Sequence, residues 1–569
     1  MLRLHDLTRR LSREAARDDL SAGLVLGLES IPDGLAAGVL AGVNPLSGLY
    51  AYLFGTLAGA ATTSSTFMVV QATGAMAVIV ADVPRVHVGG PEGDAALFTL
   101  AALTGVVMLV LGVARVGPLV RFVPNAVMTG FVNAIALNIV LGQLDDLTGY
   151  ASEGSNRILR AIDTARNVGA WSWSAVAVGV LTVALIMLLE RTRLGALGIV
   201  VAIAVTSALT SVVGLTAVEI VRDLTDVPNA LPTPVIPDVA LVSALIVPAL
   251  SLAFVGAVQG AAISSSIPNE DGSYPDVSGD FRGQGIGSIV TGVFQGLPVA
   301  GSLSATGLVR TAGARTRLAT LSAAVIGMAT VLLFAGPVGY VATPALAGLL
   351  TIVGIRTLKP DRVRMAWRTG SVQAVVLATT FVLTMIIPLQ YAVLFGVALS
   401  IVLYVVRQSN RITIRRRVFD PSSRWPSEED PPAEIPPHEV VVLQPYGSLF
   451  FAAAPVFSDQ LPEVSRRSRG SVVIIRLRGK EDVGSTFIGV VTWYAQRLDV
   501  AGARLMLAGV SEQLHTQLRD TGAIDIIGHD SVFRSSPSVG ESVQRALDAA
   551  HSWIDAATDG SGSAATGPP

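Results

Sequence analysis

The stretch GLPVAGSLSATGLVRTAGARTRL, residues 296–318, lies between long apolar segments but is interrupted by Gly, Ser and Pro. A helix that crosses a membrane needs roughly 20 consecutive, mostly apolar residues, and this stretch does not provide them. Irregular backbone occurs at membrane depth only where it is buried in protein or lines a cavity. The stretch therefore predicts a broken helix inside a membrane protein, with Ser302 or Ser304 as the N-cap residue of its helical part.

The composition of the whole chain agrees with a membrane protein. Of its 569 residues, 51% are hydrophobic and 14% are charged, whereas soluble domains have about 25% charged residues. Cysteine is absent, which excludes disulfides, zinc–thiolate sites, iron–sulfur clusters and thiol catalysis. The formal net charge of −2 gives no indication of nucleic-acid binding, and we expect no nucleic-acid partner.

Apolar segments run through residues 19–410, which we predict to form one transmembrane domain. The continuous segments are 46–61, 95–113, 123–141, 174–189, 197–213, 242–264, 318–335, 338–353, 371–387 and 389–406. Four further segments are apolar but interrupted, and these are 20–43, 67–81, 283–297 and 301–311. Together the segments predict about fourteen transmembrane elements.

Positive charge alternates from loop to loop along this domain. If the N-terminus is cytoplasmic, the cytoplasmic loops contain Arg115, Arg121, Arg191, Arg193, Arg310, Arg315, Arg317, Arg356, Lys359, Arg362, Arg364 and Arg368. The loops between them are poor in Arg and Lys, which is the positive-inside pattern. This pattern predicts an even number of spans and cytoplasmic N- and C-termini in a multi-pass protein of a bacterial-type cytoplasmic (inner) membrane.

Residues 1–18 differ from a cleavable signal peptide, because acidic residues and Arg alternate with Leu and Ala. They predict an amphipathic helix that lies on membrane lipid at the cytoplasmic surface. A short solvated leader is the alternative interpretation.

Glycines recur at helix-packing spacing in the first two segments. Gly34, Gly38 and Gly42 repeat every four residues, and Gly55 and Gly59 do so in the second segment. Small residues at this spacing let helix backbones approach closely in lipid. In a chain with 56 glycines, a chance match is the alternative for any single pair.

A second broken segment, SSTFMVVQATGAMAVIV at residues 64–80, has a helix predicted to begin near residues 71–73. In transporters built from inverted repeats, paired broken helices direct their N-termini at an anion near the membrane midplane. Free backbone N–H groups, hydroxyls and an amide would together form an anion site. The alternative is that both interruptions are kinks that serve only helix packing.

The composition changes after Arg417. Residues 411–437 are rich in Pro and acidic residues and predict a linker. Residues 438–556 predict a small cytoplasmic α/β domain, with strands in VVVLQPYGSLFFAA, SVVIIRLRG and ARLMLAGV and helices at 486–498 and 539–557. Residues 557–569 predict a disordered tail.

These motifs resemble the SulP family of sulfate-permease-like anion transporters. The run LPVAGSLSATGLVRTAGARTRLATL (297–321) is similar to the family pattern LPVTGSFSRSAVNxxSGARTPLAGL. IPDGLAAGVLAGVNPLSGLYAYLFG (31–55) resembles IPQxxAYAxLAGxPPxxGLY, VVQATGAMAVI (69–79) resembles VxGPTGPMxVV, and GQGIGSIVTGVFQG (283–296) resembles the ninth segment. The resemblance implies a polytopic α-helical membrane protein with fourteen segments in two inverted seven-segment repeats, forming a core and a gate domain. It also implies a homodimer and a C-terminal cytoplasmic α/β STAS domain.

The resemblance places an anion site between the third and tenth segments. Carried over residue by residue, this site would be lined by Gln71, Ala72, Thr73, Gly74, Gly301, Ser302, Leu303, Ser304 and Ala305. Many family members have Arg where this chain has Ala305, so attraction for an anion would here rest on two helix N-termini of about half a charge each. In the eighth segment Gln259 stands in place of an acid and Ile263 in place of a hydroxyl, which does not fit sodium coupling of the family's kind.

Asp33 and Glu29 are the candidate proton carriers. Asp33 falls where family members have Gln or Glu, and Glu29 lies one turn earlier on the same helix face. An acid inside a membrane span is a functional candidate, and two carboxylates this close cannot both be comfortably ionised in a low dielectric. We expect proton-linked transport with Asp33 as the carrier and Glu29 tuning it. The alternative is that Glu29 merely faces the cytoplasmic vestibule.

The predicted soluble domain has Gly-Ser-Thr-Phe at residues 484–487, where STAS domains have an Asp-Ser-[Ser/Thr]-Gly-like motif that is sometimes phosphorylated. Phosphorylation of Ser485 and simple N-capping by Ser485 are the two hypotheses. The domain would otherwise serve dimer contacts, trafficking, gating or binding of a cytoplasmic partner. The six histidines are scattered without metal-ligand spacing, so we expect no metal, no cofactor and no enzymatic activity.

The sequence thus predicts a secondary active transporter for a sulfate-like oxyanion, bicarbonate or small carboxylate, working by alternating access with the proton as the coupling ion. Two alternatives stay open: an uncoupled, channel-like anion conductor, and a membrane-anchored anion sensor or scaffold that acts through the STAS domain. The departures from the family at Ala305 and Gln259 are what keep the second alternative open.

Overall fold

The computed structural model describes residues 13–118, 124–154, 156–387, 389–409, 412–419, 426–481 and 483–562. The chain divides into two units after Ser400. Residues 1–12 of the predicted amphipathic N-terminus, Arg121 and residues 563–569 of the predicted tail lie outside the described residues.

Helices make up almost all of the first unit. Their bounds, with those of two short strands, are α1 Arg13–Leu40, α2 Pro45–Thr62, β1 Val69–Gln71, α3 Gly74–Ala81, α4 Gly90–Val113, α5 Asn125–Gly142, α6 Leu144–Thr148, α7 Arg157–Arg166, α8 Trp173–Leu189, α9 Leu197–Val213, α10 Val221–Leu224, α11 Val242–Ser266, α12 Val277–Val293, β2 Ala300–Ser302, α13 Leu303–Thr311, α14 Leu318–Gly339, α15 Thr343–Thr357, α16 Pro360–Thr369, α17 Ser371–Ile386 and α18 Leu389–Ser409. The apolar segments predicted from the sequence coincide with these elements. Helix α1 begins earlier than predicted, because hydropathy alone does not assign its charged first turns to a span.

Several of these helices have the length and composition of membrane spans. Within the described residues, five helices meet both criteria: Arg13–Leu40, Gly90–Val113, Asn125–Thr148, Val239–Ser266 and Leu318–Gly339. Shorter apolar helices are Trp173–Leu189, Leu197–Val213, Ser371–Ile386 and Phe395–Gln408. The protein is a helical membrane protein, whereas the exact number of fourteen spans stays a prediction.

The end of α14 differs from the prediction, which closed this segment at residue 335. The helix continues through Pro337, and Phe334 accommodates the proline with non-helical backbone angles of φ −125° and ψ 27°. The next helix begins with Pro344 in its first turn, where a backbone N–H has no helical acceptor in any case.

Local sequence explains where the helices near the interrupted segments begin. Asn44 caps α2, because its side-chain oxygen accepts a hydrogen bond of 2.9 Å from the Leu46 amide, and Pro45 follows in the first turn. Asp276 caps α12 in the same way and accepts from the Ser278 amide at 3.1 Å. These caps determine where helices α2 and α12 begin.

Both interrupted segments consist of a short strand followed by a short helix. Strand β1 precedes α3, and strand β2 precedes α13. The two strands pair antiparallel, with Val69 opposite Ser302 and Gln71 opposite Ala300. The backbone groups that the interruptions free from helical bonding are thus paired with each other, which is how a membrane protein accommodates non-helical backbone. The structure confirms both interruptions.

Glycines allow α1 and α2 to pack backbone against backbone. A Cβ atom on Gly34 would lie 2.9 Å from the Leu49 Cα, and one on Gly38 would lie 2.6 Å from the Pro45 Cα. The packing role predicted for these two glycines is confirmed. Glycine is required at position 42 for a different reason. The φ of Gly42 is 67°, a left-handed conformation that ends α1.

The second glycine pair of α2 packs on strand β1. A Cβ atom on Gly55 would lie 2.9 Å from the Val70 carbonyl oxygen, and one on Gly59 would lie 2.5 Å from the Val70 Cβ. A glycine contact that the spacing did not predict joins α4 and α12, where a Cβ on Gly105 would lie 2.5 Å from the Gly285 carbonyl oxygen. Strand β1 and helix α12 are therefore held at backbone distance from their neighbours.

The second unit contains a six-stranded sheet in the order β4-β3-β5-β6-β7-β8. Its elements are β3 Thr413–Val418, β4 Ser427–Glu429, β5 Val440–Tyr446, α19 Ala454–Ser458, β6 Val472–Arg476, α20 Ser485–Val500, β7 Arg504–Val510, α21 Glu512–Asp520, α22 Ala523–Ile527, β8 Val532–Arg534 and α23 Glu541–Gly562. Alternate residues of β6 face opposite sides, with Val473 and Ile475 in one apolar cluster and Val472 and Ile474 in the other. The predicted α/β domain and its three predicted strands are confirmed.

The segment predicted as a linker, residues 411–437, contains two strands of this sheet. Strand β3 pairs antiparallel with β5, and β4 forms the edge beside it. Strand β3 was not predicted because its three successive arginines are not typical of a strand within a sheet. In the structure each arginine has a carboxylate partner, in the pairs Arg415–Asp430, Arg416–Glu439 and Arg417–Glu428. The prediction of a linker at residues 411–437 is therefore wrong for the residues of both strands.

Helix α23 runs to Gly562, beyond the predicted end of the domain at residue 556. Extending an existing helix is far easier than starting one, so the helix continues through residues 557–562 although these include two glycines. The prediction of disorder is wrong for residues 557–562.

Candidate anion-binding site

The helices α3 and α13 both begin at the paired strands. Thr73 caps α3, and its hydroxyl oxygen accepts from the Met76 amide at 3.3 Å. Ser302 caps α13 and accepts from the Ala305 amide at 3.4 Å, so of the two predicted cap residues it is Ser302 that serves. Ser304 lies beside it, with 3.1 Å between the two hydroxyl oxygens. Two helix N-termini with hydroxyl caps thus lie on either side of one strand pair.

These N-termini border a cavity of about 1160 Å³ within the first unit. Of the predicted site residues, those that line it are Ala72, Thr73, Gly74, Gly301, Ser302, Leu303 and Ser304. Gln259 of α11 also lines it, and the Thr73 hydroxyl donates to the Gln259 side-chain oxygen at 3.2 Å. The structure therefore brings the third, eighth and tenth predicted segments together at one cavity.

Two predicted site residues do not line the cavity. Gln71 is buried, because side chains alternate along β1 and the next residue, Ala72, takes the cavity side. Within the described part of the chain its side-chain oxygen has no hydrogen-bond partner. Ala305 is buried in an apolar cluster with Leu26 and Val309, on the side of α13 that packs against α1. The expectation that Gln71 and Ala305 face the anion is corrected accordingly.

The two candidate proton carriers also line the cavity. Glu29 and Asp33, one turn apart on α1, are both partly exposed there. Tyr52 of α2 lines the same cavity, and its hydroxyl donates a hydrogen bond to an Asp33 carboxylate oxygen. Tyr52 was not among the residues predicted from the sequence, although it lies within the GLYAYLFG part of the first motif.

Asp280, a fully buried carboxylate on α12, was also not predicted from the sequence. It lies just before the predicted ninth segment, and an acid at such a position is the signal that could have identified it. Its two oxygens accept hydrogen bonds from the Ser64 amide at 2.7 Å and from the Ser264 hydroxyl at 2.7 Å. Asp280 therefore holds the segment that leads into β1.

The end of the quoted motif, AGARTRL, anchors α13 to neighbouring helices. The carboxylate of Asp19 on α1 accepts from the Arg315 amide at 2.7 Å and the Thr316 amide at 3.0 Å. The Arg317 guanidinium donates to the Ala60 carbonyl at 3.3 Å, near the C-terminal end of α2, where a cation is favoured. The motif thus ties the second broken helix to both helices of the first hairpin.

Comparison with known proteins assigns both units. Residues 17–380 match the model of the sulfate permease family, and residues 431–542 match the STAS domain. The chain belongs to the sulfate permease family. The match confirms the resemblance recognised in the motifs, and strands β5 to β8 of the sheet lie within the residues that match the STAS domain.

Named members of the sulfate permease family are similar over most of the chain. The probable sulfate transporter Rv1739c of Mycobacterium tuberculosis is 26% identical over 554 residues, covering 94% of this chain and 97% of that protein. The bicarbonate transporter BicA of Picosynechococcus is 25% identical over 413 residues, covering 71% and 73%. The structure of the murine anion transporter Slc26a9 in the inward-facing state has a TM-score of 0.83 at 18% identity and covers 96% of this chain and 93% of that one. The last comparison shows that the fold is shared.

In the STAS domain, Ser485 is exposed at the first position of α20. Gly484 is the N-cap residue, and the cap makes no side-chain hydrogen bond. N-capping by Ser485, one of the two hypotheses, is therefore wrong, because Ser485 already belongs to the helix. Phosphorylation of Ser485 stays a prediction.

Proposed function

We propose that this protein is a secondary active anion transporter that works by alternating access on a sulfate-like oxyanion, bicarbonate or a small carboxylate. The observation that carries the proposal is the cavity at which the capped starts of α3 and α13 meet. The first turn of a helix leaves N–H groups without helical partners and carries about half a positive charge, so two such turns suit one anion. Relatives named as sulfate and bicarbonate transporters support the same solute classes.

The proposal includes proton coupling through Asp33, with Glu29 tuning it. Both carboxylates line the cavity that would hold the anion, so protonation of either would change the charge that the anion meets. It also includes a homodimer in an inner membrane, with both termini in the cytoplasm and regulation through the STAS domain.

Basic residues on the cavity wall support the attraction of anions. Lys359 and Arg362 line the cavity. Arg356 lines it too, but its guanidinium pairs with the Glu190 carboxylate, with 2.9 Å between one nitrogen and one oxygen. Positive charge in a cleft with low-dielectric walls raises the local concentration of anions. The departure from the family at Ala305 therefore does not leave the cavity without cations.

The residues that line the cavity indicate the side on which it opens. Two loops that the charge pattern assigns to the cytoplasm contribute lining residues, namely Gly117, Pro118, Lys359 and Arg362. We infer an inward-open state, in which a solute reaches α3 and α13 from the cytoplasm.

An ion pair supports closure on the opposite side. The guanidinium of Arg157, at the start of α7, lies 3.1 Å from the carboxylate of Asp82, which follows α3. Both side chains are mostly buried, and the guanidinium also donates to the Val78 carbonyl at 3.4 Å. Movement of α3 away from α7 would break both contacts, so the pair would hold the external side closed.

Replacing Arg157 by alanine is expected to shift the protein towards the outward-open state. Hydrogen bonds to charged groups contribute about 1.5–3 kcal/mol, which corresponds to roughly a 10- to 150-fold change in the ratio of states. The chain contains no cysteine, so a single Leu303→Cys reports on cavity access without background. A membrane-impermeant maleimide should label this cysteine from the cytoplasmic side in the parent, and from both sides after R157A.

The matched control is Arg160→Ala, because Arg160 pairs with Asp145 of α6 and not with the end of α3. Labelling from outside should stay absent in this control and should disappear again in the charge-swapped double variant R157D/D82R. Equal external labelling of R157A and R160A would contradict the role of the pair.

The transport assignment is tested by uptake of radiolabelled anions into proteoliposomes. We expect saturable uptake of at least one of sulfate, bicarbonate, chloride and a dicarboxylate, stimulated by an inward proton gradient and indifferent to a sodium gradient. A linear, unsaturable flux would favour the channel-like alternative. Absence of both uptake and anion binding would overturn the proposal.

Replacing Thr73 by valine is expected to raise the KM for the anion about 5-fold or more. The change keeps the shape of the side chain but removes an N-cap, which contributes about 1 kcal/mol, and the hydrogen bond to Gln259. The matched control is T330V, because the Thr330 hydroxyl bonds only within its own helix and lies outside the cavity. Unchanged KM in T73V, at equal amounts of folded protein, would argue against α3 as part of the site.

A further inference from the structure

Two of the polar side chains that helix α12 buries completely lie one turn apart and make hydrogen bonds to other segments. Asp280 and Gln284 have no exposed surface, and neither lines the cavity. Buried polar groups at membrane depth are costly unless every hydrogen bond is made, so a pair of them needs a structural or functional reason.

Asp280 holds the segment that enters β1. One carboxylate oxygen accepts from the amides of Ser64 and Ser65, at 2.7 and 2.8 Å, and from the Ser64 hydroxyl at 2.8 Å. The other oxygen accepts from the Ser264 hydroxyl at 2.7 Å. The Arg317 guanidinium approaches from the other side and donates to the Ser64 carbonyl at 3.2 Å. The start of the first broken segment is thus held by hydrogen bonds to the Asp280 carboxylate and to the Arg317 guanidinium.

Gln284 holds the strand that enters α13. Its side-chain oxygen accepts from the Gly301 amide at 2.8 Å, and its side-chain nitrogen donates to the Asp280 carbonyl at 3.2 Å. Gly260 leaves the space for this amide, because a Cβ atom there would lie 2.1 Å from the Gln284 nitrogen. The amide thus occupies a slot that fits it closely, and it fixes the strand partner of Val70.

We propose that Asp280 and Gln284 are positioning residues of the anion site. From one helix they fix both strand segments, and through them the relative placement of the two helix N-termini that border the cavity. They act through the backbone of residues 64–65 and 301 and do not touch the solute. This inference rests on the proposed anion site, and it assigns the geometry of that site to α12.

The test is Gln284→Met, which keeps the volume of the side chain but removes the acceptor for the Gly301 amide, together with Gln284→Glu, which retains an acceptor. We expect Q284M to raise the KM for the transported anion about tenfold with a smaller change in maximal rate, and Q284E to restore most of the affinity. Asp280→Leu should act in the same direction, because leucine has a similar shape but no acceptor for the donors of Ser64 and Ser65. A general loss of packing would instead lower the amount of folded protein and leave the KM of the remainder unchanged.

The matched control is Thr291→Val on the same helix, because the Thr291 hydroxyl is buried but bonds only to the Ser288 carbonyl of its own helix. Its KM should equal that of the parent.

Hydrogen exchange supplies a readout that does not depend on transport. Peptides covering residues 299–305 should exchange faster in Q284M than in the parent and in T291V, and those covering 64–70 should do so in D280L. Should Q284M prove too unstable to purify, the comparison of Q284E with Gln284→Asn, which is too short to reach Gly301, serves the same purpose. Parental KM and parental exchange in the variants would overturn the inference. Failure of the parent to bind or transport any anion would overturn the proposed function while leaving the exchange result informative.

Discussion

Replacing Asp33 by asparagine is expected to abolish proton-driven accumulation of the anion while leaving the protein folded. Asp33 lines the cavity, with Glu29 one turn away and the Tyr52 hydroxyl donating to its carboxylate. Asparagine has nearly the same shape and can still accept from Tyr52, but it cannot bind and release a proton at any working pH. Accumulation under an inward proton gradient should therefore fall to the level seen without a gradient, whereas exchange of labelled for unlabelled anion should persist.

Three further variants test whether the loss of coupling is specific to Asp33. Glu29→Gln should change the pH at which uptake is half-maximal without removing the response, because Glu29 is expected to tune and not to carry the proton. Tyr52→Phe should weaken coupling by removing the one hydroxyl partner of Asp33 that the structure shows. Asp94→Asn, an exposed acid in α4 outside the cavity, should behave like the parent. Unchanged pH-dependent uptake in D33N would refute the assignment.

Replacing Gly48 by alanine is expected to prevent the first helical hairpin from closing. A Cβ atom at this position would lie 2.1 Å from the Gly34 carbonyl oxygen and 2.5 Å from the Gly38 amide nitrogen. Both atoms belong to backbone, so no side chain can rotate away and α1 and α2 must separate. Overpacking of this kind costs about 3 kcal/mol or more, and the added methyl group makes no compensating contact.

The measurement is the melting temperature and the size-exclusion profile of the purified protein. G48A should yield little monodisperse protein or melt well below the parent. The control is Gly307→Ala, because a Cβ atom there would meet nothing within 4 Å, and alanine is favoured over glycine in a helix by roughly 0.5–1 kcal/mol. If G48A were as stable as G307A, the backbone contact between α1 and α2 would not be required for folding.

The sequence was sufficient to predict the elements whose signal is local. Hydropathy located the long helices, and Gly, Ser and Pro within residues 296–309 identified a break that the structure confirms. The Gly34 and Gly38 spacing predicted a contact between neighbouring helices, because partners that follow one another in the chain are easy to infer. For the same reason the three central strands of the STAS domain were recognised as apolar runs between polar loops.

The features that the sequence did not reveal depend on contacts between distant residues. Strand β3 is charged and became recognisable only through its carboxylate partners and its pairing with β5. The side chain of Gln71 lies away from the cavity because side chains alternate along β1, and that of Ala305 does so because it packs against α1. A motif in the sequence carries neither piece of information. Asp280 and Ser64 are 216 positions apart along the chain, so no local pattern could predict their hydrogen bond.

The pairing of β1 with β2 bears on how a solute could move. Hydrogen bonds between β1 and β2 join the two broken segments into a single piece. The two strands therefore cannot separate to form a pore unless these hydrogen bonds break. Under the proposed alternating-access function, a bound solute would be carried together with that piece, and collective motions of this size take microseconds to milliseconds. Each transport cycle would then move only the solute that is bound, whereas an open channel lets ions pass continuously.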